Sequence, residues 1–153
     1  MSNFSARETR STGIIGENIA CGYLVKKGYK IIKRNFIAPF GEIDIIAKSP
    51  DNTLIFIEVK ALKYSAKSGN IVRQSYPHLP LTQALQNRRI YTGSPFNPEM
   101  HLDDVKLRKL NRLCAWYANT YYPESEFRID GMCVDIFEDG EYNIRHYKNI
   151  GYY

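Results

Sequence analysis

Cysteine is scarce in this chain. There are three in 153 residues, Cys21, Cys114 and Cys133, and no Cys-x-x-Cys pair. An odd, widely spaced set excludes a disulfide framework and argues against a structural zinc. The three are expected to serve as small buried hydrophobes in a reducing compartment. No run approaches the ~18 consecutive apolar residues of a membrane span. The polar N-terminus carries no apolar signal segment, so a cytoplasmic protein is expected. Repeats and low-complexity tracts are missing, and nothing points to an organic cofactor. One long stretch has no acid: residues 61 to 98 hold Lys63, Lys67, Arg73, Arg88 and Arg89 but neither Asp nor Glu.

What is present reads as one globular domain. The length is enough to bury a core without a staple. A formal charge of +5 mildly favours a polyanionic partner. Twelve Tyr and seven Phe offer stacking surfaces, although most aromatics sit in cores. Residues 1–12 are expected to form a flexible N-terminus and 13–153 the domain. Ser11 or Thr12 should cap a helix over 13–27 that stops at Gly28. Its apolar line is expected along Ile14, Glu17, Cys21 and Leu24. Strands are expected over 29–36, 42–47 and 54–60. A basic insertion with several prolines follows at about 61–102, with a short helix near 81–91. Asp103 or Asp104 should cap a helix to about 121, with Leu107, Leu110, Cys114, Tyr117 and Tyr121 as its stripe. Strands at 127–137 and 142–147 complete the chain, joined through Glu138-Asp139-Gly140-Glu141. Short loops make the first three strands an antiparallel meander, and a strand reached through a helix can pair parallel. The expected class is α/β, with a central mixed sheet flanked by helices.

Two strings carry the chemistry: Gly41-Glu42-Ile43-Asp44, and Glu58-Val59-Lys60. Acids and a lysine inside apolar strands are costly unless paired or bound to a cation. Strand alternation puts Glu42, Asp44 and Ile46 on one face and Ile43, Ile45 and Ala47 on the other. Glu58 and Lys60 share a face of the next strand. If the faces match, Asp44, Glu58 and Lys60 converge. Oxygen ligands with open water positions suit Mg²⁺ or Mn²⁺. A nearby lysine can orient or deprotonate an attacking water, or screen a phosphate. Arg128 and Asp130 share strand parity and are expected to form a structural ion pair. The scattered His78, His101 and His146 have no ligand spacing.

Asp followed at fourteen residues by Glu-x-Lys resembles the core of PD-(D/E)XK nucleases. The whole chain resembles a narrower group, the YraN-like family, similar to archaeal Holliday-junction resolvases. The resemblance runs through Gly16-Glu17, Gly28-Tyr29, Asn35, Gly41–Asp44, Phe56–Lys60, Lys106–Leu110 and Phe127-Arg128-Ile129-Asp130. It implies a restriction-endonuclease-like fold. It also implies that Asp44 and Glu58 ligate a divalent metal, with Glu17 at its edge and Lys60 serving the attacking water. The expected activity is metal-dependent hydrolysis of DNA phosphodiesters, including branched or junction DNA, by a homodimer. Lys106, Lys109 and Arg112 at the start of the late helix, with Lys63 and Arg73, are the candidate DNA contacts. Two other readings stay open: a nucleic-acid-binding module without catalysis, and a scaffold that uses the 61–102 insertion.

Overall fold

The computed structural model describes residues 2–64 and 102–151, and within them the side chains of 9–63 and 102–151. Helix α1 (Ser2–Lys26) starts well before the expected residue 13, so Ser11 and Thr12 lie inside it and cap nothing. Neither Pro nor Gly interrupts residues 2–12, and Ala6, Arg7, Glu8 and Arg10 favour a helix, so the chain has no local reason to break there. The stop is where Gly28 predicts. Gly28 takes φ 84°, its N–H donates to the Val25 carbonyl, and the Tyr29 N–H donates to that of Leu24. This is a Schellman motif, in which a left-handed residue satisfies the last orphan carbonyls. Tyr29 and Leu24 share one core cluster and supply its usual apolar contact.

The buried line of α1 is Gly16, Ala20 and Leu24. It is turned from the expected line, and Ile14 is half exposed. Small residues win because the helix lies close on the sheet. A Cβ on Gly16 would collide with the Cβ of Ala61 and approach Val134.

The strands are β1 (Lys30–Ala38), β2 (Gly41–Lys48), β3 (Leu54–Tyr64), β4 (Phe127–Phe137) and β5 (Tyr142–Tyr147), in the spatial order β1-β2-β3-β4-β5. β1, β2 and β3 form the antiparallel meander, β3 pairs parallel with β4, and β5 returns antiparallel. The long connection from β3 to β4 contains helix α2 (Asp104–Tyr121), and such a crossover permits a parallel pair. Asp103 caps α2 by accepting the Lys106 N–H at 2.7 Å. The fold is thus mixed α/β, a five-stranded sheet flanked by helices.

Each face has its own core. α1 covers Ile45, Ala47, Ile55, Ile57, Met132 and Val134, and α2 covers Ile43, Ile46, Leu54, Phe56, Ile129 and Cys133. From α2, Leu107, Leu110, Cys114 and Tyr117 are buried as expected, Leu113 and Ala118 join them, and Tyr121 is exposed. Cys114 and Cys133 are buried and Cys21 is half-buried. Residues 61–64, expected to open the insertion, instead continue β3 beside Val134–Phe137. The helix expected near 81–91 lies outside the described residues, as does Arg73. No helix among the described residues is long and apolar enough to cross a membrane.

The close approach of α1 gives two glycines in one helix opposite fates. Gly16→Ala is expected to lower stability by about 1–3 kcal/mol, because the added methyl has no room against Ala61. Gly22→Ala, with nothing within 4 Å, is expected to raise it by about 0.5–1 kcal/mol through helix propensity. Urea melts of the two variants check both signs.

Candidate functional site

The site begins where strand pairing stops. β2 and β3 are in register from Lys48↔Leu54 to Ile45↔Ile57. Continued, that register would set Ile43 opposite Val59. The Val59 N–H instead donates to Asp44 Oδ2 at 2.7 Å. A side chain has replaced a ladder carbonyl, and the two strands fork. β1 is distorted on the other side of β2. It shifts register between Ile31 and Lys33, and Asn35 takes φ 50°, a conformation asparagine tolerates better than most residues.

The fork overturns one expectation. Ile43 packs in the α2 core, whereas Ile45 and Ala47 pack in the α1 core, so the three do not share a face. Two-residue alternation needs an unbroken ladder, and here it breaks at Asp44. On β3 alternation holds. Leu54 and Phe56 face α2, and Ile55 and Ile57 face α1, which places Glu58 and Lys60 on the α2 face.

Asp44 is strained electrostatically. Its pKa is pushed up to about 7, first by burial and next by the charge of Glu58. The Val59 N–H opposes the rise, and Glu17 and Glu42 add to it. Glu58 accepts a hydrogen bond from Lys106 Nζ at 2.6 Å. Burial pulls the Lys106 ammonium down, but Glu58, helped by Asp44 and Glu42, outweighs it and the net shift is upward. A lysine expected to meet DNA therefore neutralises an acid of the site. Glu17 comes from α1. Its Oε2 is buried and accepts no hydrogen bond, and Arg34 Nη2 stands 3.7 Å away. Arg34 directs its hydrogen bond to Asn18 Oδ1 at 2.7 Å instead. Lys60 is half-buried, with no hydrogen bond or ion pair among the described residues. Lys109 and Arg112 are exposed on α2, and Lys63 is exposed on β3.

The other buried acids are satisfied. Asp130, fully buried, accepts from Arg128 Nε at 2.9 Å, pairs with His146 Nε2 at 2.9 Å and accepts the Asn149 N–H at 2.9 Å. Burial raises its pKa, but these partners outweigh that and hold it below the usual range. The expected Arg128–Asp130 ion pair is present, and His146 belongs to it. Asp135 takes both guanidinium nitrogens of Arg145, at 2.5 and 3.2 Å. Asp44 has a single backbone donor and three acidic neighbours.

A divalent cation would relieve this imbalance. Among the described residues, no three His, Cys, Asp or Glu side chains form a ready ligand set. Magnesium does not require one, since it keeps several waters and takes one or two carboxylates plus substrate phosphates. Asp44 and Glu58 fit that pattern, and the orphaned Glu17 Oε2 is a third oxygen without a donor. Zinc, which prefers nitrogen and sulfur, does not suit this donor set. The role of Lys106 had no signal in the sequence, where it reads as one of several cations at a helix start.

Comparison with known proteins agrees with this architecture in extent. A model of the uncharacterised protein family UPF0102 matches residues 16–134, which contain Glu17, Asp44, Glu58, Lys60 and Lys106. A UPF0102 protein of Fervidobacterium nodosum is 31% identical over 151 residues, 99% of this chain and 90% of its own. One from Campylobacter jejuni is 34% identical over 122 residues, covering 80% and 81% of the two chains. One from Thermodesulfovibrio yellowstonii is 32% identical over 134 residues, covering 88% and 89%.

The raised pKa of Asp44 has a direct consequence for stability. An unfolded aspartate titrates near pH 3.9, and the folded one near 7. The folded state holds that proton more tightly, so the associated stability is full below about pH 4 and is lost as pH rises through about 7. Asp44→Asn keeps an acceptor for Val59 and removes the charge. In EDTA its melting temperature is expected to exceed the parent's by a margin that widens from pH 4.5 to pH 8. At pH 8 the gain is on the order of 2 kcal/mol. A margin that is flat with pH would refute the strain.

Proposed function

The chain belongs to the uncharacterised protein family UPF0102, and from its fork we propose that it is a divalent-metal-dependent nuclease that hydrolyses DNA phosphodiesters. The observation that carries the reading is Asp44. It is a largely buried acid pushed up to about 7 beside Glu58, whereas Asp130 and Asp135, the fully buried acids among the described residues, are paired. Unbalanced charge of this kind gathers at functional sites. The order of the sheet, with its antiparallel meander and parallel β3–β4 pair, supports a restriction-endonuclease-like core. A basic chain suits a polyanionic substrate. For junction DNA, two such sites would act across a homodimer axis.

In this reading Asp44 and Glu58 hold Mg²⁺ or Mn²⁺, and Glu17 supports it directly or through water. The ion, when bound, supplies Lewis-acid stabilisation of charge developing on a phosphoryl oxygen. Lys60 lies on the same face of β3 as Glu58, two residues further on, and has no ion partner among the described residues. Its ammonium is therefore available to orient the attacking water or to screen the phosphate. Lys106 holds Glu58 in this structure, and its ammonium would be free to meet the substrate if that carboxylate held an ion.

The 2.6 Å Lys106–Glu58 pair also favours a second reading. An acid already neutralised by its own chain fits a DNA-binding module that has no metal. Mn²⁺ titration separates the two. Heat and a thermal shift are expected, with tighter binding by about tenfold in Lys106→Ala, since one competing charge near the carboxylates is worth about 1–4 kcal/mol. No heat in either protein would leave the binding module. With Mn²⁺ and branched DNA, Asp44→Asn and Lys60→Ala are each expected to lose cleavage by at least about a hundredfold. Circular dichroism should show both folded. Cleavage unchanged in Asp44→Asn would end the nuclease assignment.

A further inference from the structure

Exposed rings gather around Trp116, which lies off the buried stripe of α2, and Tyr121, which ends that stripe. Trp116 is 41% exposed, Tyr121 54%, and Phe40, in the turn between β1 and β2, 48%. The Trp116 ring meets Phe40 edge-on at 5.5 Å and Tyr121 at 6.2 Å between centroids, and it stacks on Phe36 at 6.3 Å. The hairpin is seated close on α2 at Gly41, where an added Cβ would lie 3.2 Å from Leu113 Cδ2. The rings thus form one contiguous platform facing solvent rather than scattered surface aromatics, and such patches mark interaction sites.

The surroundings of the platform are cationic. Val105, Lys109, Arg112 and Trp116 follow one another at four- and three-residue steps, so they share one exposed line of the helix, which carries no acid. Lys109 and Arg112 have no ion pair among the described residues. Lys33 Nζ lies 5.1 Å from the Phe36 ring. Rings that are about half exposed, among cations with no acid beside them in the described residues, complement a polyanion that itself offers π faces. A nucleic acid with unpaired bases meets both demands, whereas a duplex keeps its base faces stacked on one another. The line also has a direction. From Trp116 to Lys106, the partner of Glu58, is ten residues, about 15 Å along the helix axis.

We propose that Phe40, Trp116 and Tyr121, with Lys109 and Arg112, form a stacking platform for an unpaired segment of nucleic acid running toward the Asp44–Glu58 fork. The proposal names the substrate class of the nuclease reading and rests on that reading for its role. Binding at the platform itself requires neither metal nor cleavage.

Trp116 is the only tryptophan, so its fluorescence reports on this face alone. The full chain in EDTA is titrated with a short single-stranded oligonucleotide and with the blunt duplex of the same sequence. Saturable quenching by the single strand, with little by the duplex, is the expected result. In anisotropy of a labelled single strand, Trp116→Ala is expected to weaken binding about tenfold or more. Trp116→Phe, which retains a ring, should restore most of the affinity and guards against a folding defect. Arg112→Gln should weaken binding and flatten its salt dependence. Equal quenching by the duplex, no quenching, or single-strand binding indifferent to Trp116→Ala would overturn the platform. So would a fluorescence shift driven by protein concentration alone, which would make the face a contact between copies. Single-strand binding in EDTA tests the platform and Mn²⁺ binding without DNA tests the fork, so failure of the platform and failure of the nuclease reading are told apart.

Discussion

The hydrogen bond from the Val59 amide to the Asp44 carboxylate is the constraint on which this site is built. A buried N–H must be satisfied, and in a continuous sheet the neighbouring strand would do it. Here β2 has left β3 by that level, and the carboxylate takes the place of the strand. The substitution opens a cleft between two strands that are tightly paired a few residues earlier. It also draws an acid into a setting that opposes its charge, where burial and Glu58 together lift its pKa to about 7. Fork and unbalanced charge are one feature, because the group that ends the pairing is the group left short of donors.

Asp44 and Asp130 show how environment sorts chemically identical residues. Both are in strands and both are largely buried. Asp130 is surrounded by a guanidinium, an imidazole and a backbone amide, and its charge is held. It ties β4 to β5 and to the residues after β5, and its chemistry is spent in doing so. Asp44 faces other carboxylates, and the ammonium nearest the group belongs to Lys106 on Glu58. Arg34 leans 3.7 Å from Glu17 without making a hydrogen bond to it. One ammonium meets Glu58 directly, and Asp44 and Glu17 are left without a cation in hydrogen-bond contact among the described residues.

Much of this was legible in the order of residues. The five strands and their order along the chain, the parallel crossover, the Asp103 cap and the Arg128–Asp130 pair were all readable from it, and the structure has them. Two of the three misses share a cause. The buried line of α1 was sought along Ile14, Glu17, Cys21 and Leu24, but close packing on β3 selected Gly16 and Ala20 to join Leu24. The helix start was sought at Ser11 or Thr12, although good cap residues also occur inside helices whose next turn is intact. The common face of Ile43 and Ile45 was sought from an alternation that neighbouring strands did not maintain. At Gly16 and at the fork a local preference met a contact that only the assembled sheet supplies.

By itself the sequence determined which charged residues are set into apolar strands and roughly where they stand along the chain. Acids and a lysine set in apolar strands are costly, and that cost is visible before folding. Tertiary structure decided how they meet. It ended the β2–β3 ladder at Ile45, turned Asp44 onto the Val59 amide, set Lys106 on Glu58 and left a Glu17 oxygen without a donor. The physical reason is range. Composition, caps and alternation are set by neighbours within a turn or a strand. Hydrogen-bond balance and electrostatic strain at the fork depend on groups brought in from α1, β2, β3 and α2 together.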